Sequence, residues 1–488
     1  ARYYCLPVSH ISGILRNARR AEKTICRDHE FMSIKSVIDW LVTPPKNGPD
    51  ADNPQSADAF VPAHMAQPAA LSILICDFDG PKGHEVAQRL IGMLAQKSGI
   101  KAQLFNKKLK VSGRGNMVEK FLHAAEMGRK WMIATETDLL LWGEIDVEKE
   151  NLSIHFLCAV ADTDKQPGSI GLADTLEIPI NYDSALEDII LASSIAAAGP
   201  RKKGLDRTDL TRMLEIEAVK LTAYMDVPPS NLEQRQFASV TTFIGSIFSS
   251  LWRMNGDDSY LDRAIKTYKG ALSNTYDREN PMNWALAHNH LAAALQAQSK
   301  RDNSLPPLLE AADAYRAVVA ALSLQTHAND WALAHIHLGD VLVRQSSFIE
   351  TVQKLKEASE AYQVALLVFT RQTMPGPWSE LLNQIGVTLM QLGEMVAGTR
   401  TLDQSATCFR QALEVRRREV APLLWAQTAN NLGAVTFSLY KRDKNATLLN
   451  EAEACFAGAT EVYAQFGRKN TAKVAQGNLD RVRHAKSG

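Results

Sequence analysis

A repeat of 47 residues is the feature that most limits how this chain can fold. Four tryptophans follow one another at that step, since 331−284, 378−331 and 425−378 all equal 47. They are Trp284, Trp331, Trp378 and Trp425. The same step reaches Phe237 backward and Ala472 forward. A period between about 20 and 50 residues is typical of a solenoid, in which each unit packs mainly on its neighbours.

Two further columns with this period predict how each unit is built. Eight residues after an anchor the side chain is tiny, as at Gly339, Gly386 and Gly433. In the second half of each unit an aromatic residue recurs, as at Tyr268, Tyr315, Tyr362, Phe409 and Phe456. These columns indicate a pair of antiparallel helices, because a tiny residue lets the second helix approach closely and the later aromatic ring fills the space between neighbouring pairs. The tryptophans and glycines are therefore interpreted as structural anchors.

The columns resemble the tetratricopeptide repeat (TPR) over residues 237–488. They follow W-x6-L-G and then L-x2-A-x3-Y-x2-A, and PLLWAQTANNLG (422–433) is similar to long bacterial units of this type. A standard unit has about 34 residues, so we place about 13 extra residues between the two helices, as at 300–309. The resemblance implies five units and a C-terminal capping helix within 231–488. It also implies an α-α superhelix with a concave groove for a protein or peptide segment, without catalysis.

Residues 71–182 have the pattern of a small α/β domain. Apolar runs at 71–78, 102–106, 138–145, 152–160 and 176–180 are predicted strands, and helical spacing occupies 84–96 and 117–129. Strand, helix, strand, helix, strand and hairpin in this order predict a mixed sheet. The order resembles the amino-terminal α/β domain of TolB-type proteins over residues 71–165. The fold class predicted for the whole chain is therefore mainly α, with an α/β domain before the solenoid.

Two segments lie outside these regions. Residues 1–70 carry repeated prolines after Leu41 and are predicted to be an extension and a disordered Pro-rich linker. Met32 is one candidate for the natural start of the chain, which leaves open whether residues 1–31 belong to the natural protein. Residues 183–230 contain two helical stretches, at 186–198 and 210–225, and are interpreted as a helical bridge into the array.

The fifth position after each anchor supplies the candidate partner-binding residues. This column contains Thr242, Asn289, Ile336, Asn383 and Asn430. An asparagine amide both donates and accepts, so it suits an extended peptide backbone whose polar groups lose water on binding. We therefore predict that Asn289, Asn383 and Asn430 face the groove and bind a partner. The alternative, that they are merely exposed polar positions, stays open.

Histidines also recur at the repeat period, in the columns of His288 with His335 and of His290 with His337. A metal site is one interpretation. However, residues two apart on a helix point in different directions, and no Asp, Glu or Cys completes a ligand set in these columns. Copying of the repeat explains the recurrence better. No metal and no cofactor is therefore predicted.

Two sequences in the α/β domain suggest competing functions. Asp77-Phe78-Asp79-Gly80 resembles the DxDG motif of haloacid-dehalogenase-like phosphatases, which implies a nucleophilic Asp77, an acid–base Asp79 and Mg²⁺. Pro81 departs from that pattern, and a turn at the end of a strand is the alternative. Lys82-Gly83-His84 opens a helix whose N–H groups can receive an anion or nucleotide, although it matches no phosphate loop.

The charge balance excludes one class of function. The chain has 54 Lys and Arg against 54 Asp and Glu, so its formal net charge is zero, and bulk charge does not hold it to nucleic acid. Six cysteines without a CxxC pair and the lack of an apolar run of about 18 residues predict a cytoplasmic protein without a membrane span. The sequence favours a non-enzymatic interaction scaffold. The alternatives are a small-ligand sensor and, third, a Mg-dependent phosphatase using Asp77 and Asp79.

Overall fold

The computed structural model describes residues 70–111, 117–160, 166–171, 174–202, 204–226, 232–273, 281–349 and 351–487. The predicted extension and Pro-rich linker before Ala70 therefore lies outside the described residues. The chain divides into two compact units, whose described parts are residues 70–354 (the N-terminal unit) and 355–487 (the C-terminal unit). Each unit is described by itself.

A five-stranded mixed sheet opens the N-terminal unit, as the sequence predicts. Its strand order is β2-β1-β3-β4-β5, with β1 parallel to β2 and β3, and with β4 antiparallel to β3 and β5. Continuous apolar runs form the central strands because both faces of the sheet are covered. The strands are β1 (Leu71–Cys76), β2 (Ile100–Phe105), β3 (Leu139–Asp146), β4 (Asn151–Cys158) and β5 (Thr175–Pro179).

Helices pack on both faces of this sheet. Helix α1 (Gly83–Leu94) connects β1 to β2, and α2 (Met117–Thr135) connects β2 to β3. Helix α2 packs on the face to which Leu157 of β4 points. The neighbouring Cys158 points to the opposite face, where its Sγ–H donates to the carbonyl oxygen of Ala197 in the next helix, 3.1 Å away.

Two helices lie between the sheet and the repeats. They are α3 (Ser184–Ala198) and α4 (Gly204–Asp226). Helix α3 begins where the Asp183 carboxylate accepts a hydrogen bond from the Leu186 N–H, which satisfies one of the free donors of the first turn. Most of α3 is buried, because it contacts strands β3 and β4 as well as the first helix of the array.

The array consists of five helix pairs and one final helix, and its described residues between 237 and 480 contain no strand. In three of the five pairs the first helix begins at a proline: Pro281, Pro375 or Pro422. Proline is well tolerated there, because the N–H that it lacks would have no partner within the first turn of the helix. The helices are α5 (Gln234–Asn255), α6 (Asp258–Ser273), α7 (Pro281–Asp302), α8 (Pro306–Ala321), α9 (Ala328–Ser346), α10 (Val352–Ala365), α11 (Pro375–Met395), α12 (Arg400–Leu413), α13 (Pro422–Asp443), α14 (Ala446–Gln465) and α15 (Lys469–Ser487).

The length of the repeat unit has a different origin from the predicted one. The sequence analysis placed about 13 extra residues in a loop between the helices of a pair, and this is wrong. Helix α7 ends at Asp302 and α8 begins at Pro306, so only residues 303–305 separate them. The extra residues lengthen the helices themselves, which have 22 residues in α7 and 16 in α8.

The tiny column lies at the contact between the two helices of a pair, as predicted, but the aromatic ring that it meets belongs to the same pair. A Cβ added to Gly386 would lie 2.6 Å from the Phe409 ring, and one added to Gly433 would lie 3.0 Å from the Phe456 ring. In the first pair, a Cβ added to Gly245 would lie 2.5 Å from the Tyr268 ring. Only a glycine therefore lets the second helix of each of these pairs come so close. Gly339 is buried as well.

Candidate partner-binding surface

The tryptophan anchors are half-buried and pack between helices. Trp331 packs against the buried cluster that contains Val318 of α8 and Leu322, the residue after that helix. Trp425 reaches Gly458 of α14, where an added Cβ would be 2.6 Å from the edge of the indole. Trp284 and Trp378 occupy the equivalent positions and are half-buried too. These residues therefore hold the pairs together.

The asparagine column does not form one uniform surface. Asn383 was expected to be exposed, but it is only 4% exposed. Its Oδ1 accepts hydrogen bonds from Thr428 Oγ1 at 3.1 Å and from Asn431 Nδ2 at 3.3 Å. Helix α13 supplies both donors, so Asn383 joins two neighbouring first helices. Its predicted exposure is wrong because the adjacent unit covers it, whereas a role in partner binding stays a prediction.

Asn289 and Asn430 are different, since both are half-buried. In each of them the Oδ1 atom accepts no hydrogen bond from any described residue, and it is shielded from solvent. A buried amide oxygen without a partner costs about 1–3 kcal/mol relative to a satisfied one. Because both residues are only half-buried, rotation of the amide can bring its oxygen to the surface, where a peptide N–H would remove that cost. These two positions of the column are therefore the ones with unused hydrogen-bonding capacity.

A buried arginine beside this column was not found in the sequence analysis. Arg416 is 2% exposed and pairs with Glu380 of α11. Its Nη1 donates to Thr428 Oγ1 at 2.9 Å, and Thr428 in turn donates to Asn383. One step of 47 residues either way from Arg416 gives Phe369 and Tyr463, so the arginine interrupts a column of large hydrophobic and aromatic residues. That break is the signal that could have found it.

The repeated histidines serve packing. His288 and His335 lie edge-on against the tryptophans four residues earlier, with ring centroids 4.1 and 4.5 Å apart. Burial lowers the pKa of each of these two imidazoles to about 4. His290 and His337 lie against Tyr268 and Tyr315 of the preceding second helices. Among the described residues no group of three or more His, Cys, Asp or Glu is arranged to hold a metal ion.

The Asp77–Asp79 motif at the end of β1 is held by local contacts. Asp77 Oδ1 lies 2.8 Å from His84 Nδ1. The Asp79 carboxylate contacts Lys108 Nζ at 3.1 Å and Lys110 Nζ at 3.0 Å. Hydrogen bonds from Lys110 and then from Lys108 hold the pKa of the Asp79 carboxyl below its usual range. The two lysines therefore favour the charged form of Asp79, which is a poor arrangement for the acid–base role.

The predicted anion position at the start of α1 is already surrounded by acidic groups. Lys82 precedes the helix in the left-handed conformation, at φ 61°, and Glu85 lies in the first turn. His84 is engaged on both ring nitrogens, by Asp77 and by Gln88. Carboxylates near a helix N-terminus use the same favourable field that an anion would use. The geometry gives this position no advantage as an anion site.

Several solved structures are similar to this chain at low identity and with low TM-scores. No known protein family matches the sequence, and no curated protein does. A solved structure of BtubC (BKLC) from P. vanneervenii is 18% identical, and the match covers 59% of this chain and 93% of that one, with a TM-score of 0.36. The Rap conjugation gene regulator of plasmid pLS20, in complex with the Phr* peptide, is 14% identical over 63% of this chain and 77% of its own, with a TM-score of 0.28.

The yeast Sti1 TPR2AB domain in its pHSP90 complex is also similar, at 12% identity, 56% coverage of this chain, 99% of its own and a TM-score of 0.21. Within the part of the chain that the structure describes, every helix is too short or too polar to cross a membrane. One of these neighbours is a TPR domain by name, and this chain consists of a small mixed-sheet α/β domain followed by an array of helix pairs.

Proposed function

We propose that the chain is a non-enzymatic scaffold that binds an extended segment of a protein partner along the first helices of its repeats. One observation carries the proposal. Asn289 in the N-terminal unit and Asn430 in the C-terminal unit hold the same repeat position, and the amide oxygen of each accepts no hydrogen bond from a described residue. An extended segment exposes peptide N–H groups, so such an acceptor suits it in either unit.

The chemistry of these amides favours a peptide over a small charged ligand. An asparagine side chain offers an acceptor oxygen and two N–H donors, which matches the alternating polar groups of a peptide backbone. The exposed Gln427, three residues before Asn430, adds a second amide in the same helix of the C-terminal unit. A protein or peptide partner is therefore the proposed ligand class.

The compartment is part of the same proposal. Cys76 and Cys158 are buried as free thiols. Burial and then the nearby Asp77 carboxylate raise the pKa of the Cys76 thiol to about 12. Protonated, inaccessible thiols are compatible with a reducing environment, where structural disulfides are rare. We therefore place the protein in the cytoplasm. The likeness of residues 71–165 to the TolB-type domain stays a prediction.

Photocrosslinking in the full chain tests the proposal. A benzoylphenylalanine at Gln427 should capture a partner through a single short peptide, which mass spectrometry of the crosslink identifies. The matched control is the same probe at Asn450, which is also exposed but lies on the second helix α14. Equal capture of the same peptide from both positions, or capture from position 450 alone, would contradict binding along the first helices.

The competing functions have direct assays. Mg-dependent hydrolysis of aryl phosphates by the purified chain, abolished by Asp77→Asn, would favour the phosphatase. A melting temperature that rises with added phosphate or nucleotide, and no longer does so after Lys82→Ala, would favour the sensor. We expect neither activity. Asp79 is already paired with Lys108 and Lys110, which disfavours the phosphatase. The carboxylates of Asp77 and Glu85 lie near the start of α1, which disfavours an anion there.

A further inference from the structure

One face of helix α5 differs from the same face in the other repeats. Ser239, Thr242, Ser246 and Ser250 follow each other at steps of three or four residues, so they share a single face, and all are buried. Thr242 is the member of the asparagine column in this helix. In α7 the corresponding residues are Leu286, Asn289, Ala293 and Ala297, and among the later first helices only Ser438 of α13 repeats one of the serines, so the full set belongs to α5.

A segment of the chain itself lies against this face. The segment consists of residues 166–171 and 174–177, before and within strand β5, and is called the resident segment below. Ser250 Oγ donates to the carbonyl oxygen of Gly168 at 2.9 Å. Ser239 Oγ donates to the Thr175 carbonyl oxygen and accepts from the Glu177 N–H, each at 2.9 Å. Helix side chains thus bind the main chain of the resident segment, as a groove binds an extended peptide.

The fit is close at Gly168. This glycine has φ +70°, and a Cβ there would lie 2.5 Å from the Ser246 carbonyl oxygen and 2.7 Å from Ser249 Cβ. Both partners of the contact are therefore constrained. The segment needs a glycine, which alone adopts this conformation without strain, and the helix needs small side chains beneath it.

Two carboxylates fix the other end of the resident segment. Asp174 Oδ1 lies 2.7 Å from His290 Nε2 of α7, with only 9% and 10% of the two side chains exposed. Glu177 Oε2 lies 2.9 Å from Arg235 Nε of α5 and 3.2 Å from Asn283 Nδ2 of α7. Carboxylates three residues apart are thus held by groups from two successive first helices. Such charge-assisted bonds are stronger and more specific than neutral ones.

We propose that this face of α5, with the adjoining edge of α7, is a built site for an extended acidic peptide segment and that the resident segment is its own-chain ligand. The site recognises main-chain polar groups through serines, a glycine through close contact and two carboxylates through His290 and Arg235. The resident segment closes the asparagine-column face in the first pair. This site is separate from the amides proposed to bind a partner and does not depend on them.

The full chain with a reporter thiol tests the proposal. Ser249 is fully buried next to Gly168, so Ser249→Cys places a thiol beneath the resident segment. Alkylation at this position, measured by peptide mapping, should be slow. Adding Gly168→Val should accelerate it by about tenfold or more, because a side chain in this conformation costs about 1–2 kcal/mol even before any clash.

A synthetic peptide of residues 166–177, QPGSIGLADTLE, should then restore the protection in trans. The same peptide with both carboxylates changed to amides should not. The control thiol is Ser405→Cys, equally buried in the C-terminal unit, and its alkylation should not respond to Gly168→Val or to the peptide.

A second variant keeps the test decisive if Gly168→Val disturbs folding, as judged by circular dichroism. Asp174→Asn with Glu177→Gln leaves the backbone unchanged and should also accelerate alkylation of the reporter thiol. If neither variant exposes the thiol, the segment is a fixed part of the fold and the proposal fails. If the thiol is exposed but the peptide does not protect it, there is no peptide site and the proposal fails as well.

Discussion

Helices α5 and α13 occupy equivalent places in their repeats but present different surfaces. Both have a glycine against the aromatic ring of the following helix, at Gly245 and at Gly433. In the asparagine column, however, α5 has Thr242, buried beneath the resident segment, whereas α13 has the half-buried Asn430 with an unpaired amide oxygen. The columns that build the pair are shared, and the residues between them differ.

This difference separates two kinds of information in a repeat. The tiny and aromatic columns determine how closely two helices approach, so all five units keep them, with Ala292 in place of glycine in the second unit. The residues on the remaining face are free to specialise, as serines do in α5 and amides do in α13. The following predictions test that separation, first at the shared positions and then at the specialised ones.

The largest effect is expected at a shared position. Gly386→Leu forces a side chain into the Phe409 ring, which already lies within 2.6 Å of the place of a Cβ. Overpacking of this kind costs about 1–3 kcal/mol, and we expect the upper end because the ring is fully buried. Urea unfolding would measure the loss. Gly477→Leu is the control, since no atom lies within 4 Å of its added Cβ, and it should not destabilise the chain.

A second prediction concerns Arg416, which replaces the large hydrophobic or aromatic residue found at the same position of the neighbouring repeats. Arg416→Ala removes the ion pair with Glu380 and a donor to Thr428, and it leaves a cavity. Because Glu380 is partly exposed, we expect a loss of about 2 kcal/mol, less than for a fully buried pair. Arg416→Phe restores the residue type of Phe369 and should lose less than the alanine variant.

The control for this site is Arg417→Ala, an exposed neighbour that should stay within about 0.5 kcal/mol of the parent chain in the same unfolding assay. A phenylalanine variant that is less stable than the alanine variant would show that position 416 is not equivalent to position 369. The arginine would then mark a local change of packing and not only a change of residue type.

These positions also show what could be predicted from the sequence. The place of Gly386 at the contact between two helices could be predicted, because a period of 47 residues shows which positions are equivalent in every pair. The expected long loop at 300–309 is wrong, since helix α8 begins there at Pro306, and proline is compatible with the first position of a helix. Local signals of this kind are ambiguous unless the neighbouring helix is known.

The buried polar contacts could not be predicted from the sequence for a different reason. Asn383 was expected to be exposed, but Thr428 and Asn431 from the next first helix cover and bind it. The contact between Ser239 and Thr175 joins residues 64 apart that share no repeat column. A repeat column compares equivalent positions of successive units. It does not show which residues of another helix or strand contact them, so hydrogen-bond partners from other elements can be identified only in the structure.

His335 provides a pH-dependent prediction. Burial lowers the pKa of its imidazole to about 4, whereas in the unfolded chain it returns to about 6.5. Between these values the unfolded chain binds more protons, so the stabilising contribution is complete above pH 6.5 and is lost as the pH falls toward 4. His335→Leu introduces the residue type of Leu382, one repeat later, and removes this loss.

We therefore expect His335→Leu to raise the free energy of unfolding by about 1 kcal/mol more at pH 5 than at pH 7.5, after allowance for the partial exposure of the ring. Urea unfolding at both values measures the difference. The exposed His484 gives the control, because His484→Gln should shift both values equally. Parallel pH profiles for the parent chain and His335→Leu would show that the imidazole is protonated in the folded chain as well.

The smallest effect on stability is expected where the surface is specialised for a partner. Asn430→Ala removes a shielded amide oxygen that accepts no hydrogen bond within the described chain, and the relief of that cost offsets the packing lost with the side chain, so the free energy of unfolding should change by less than about 1 kcal/mol. Asn383→Ala, in the same column, should cost about 1–2 kcal/mol because Thr428 and Asn431 lose their acceptor.

The affinity for a partner should respond to these two substitutions in the opposite order. A partner that uses the Asn430 amide loses about 1–3 kcal/mol, a five- to hundred-fold weakening, when the amide is removed. The affinity of the peptide identified by crosslinking, measured by fluorescence anisotropy, should therefore fall for Asn430→Ala and not for Asn383→Ala. If both variants bind the peptide like the parent chain, the partner docks elsewhere and the unpaired amide has only a structural origin.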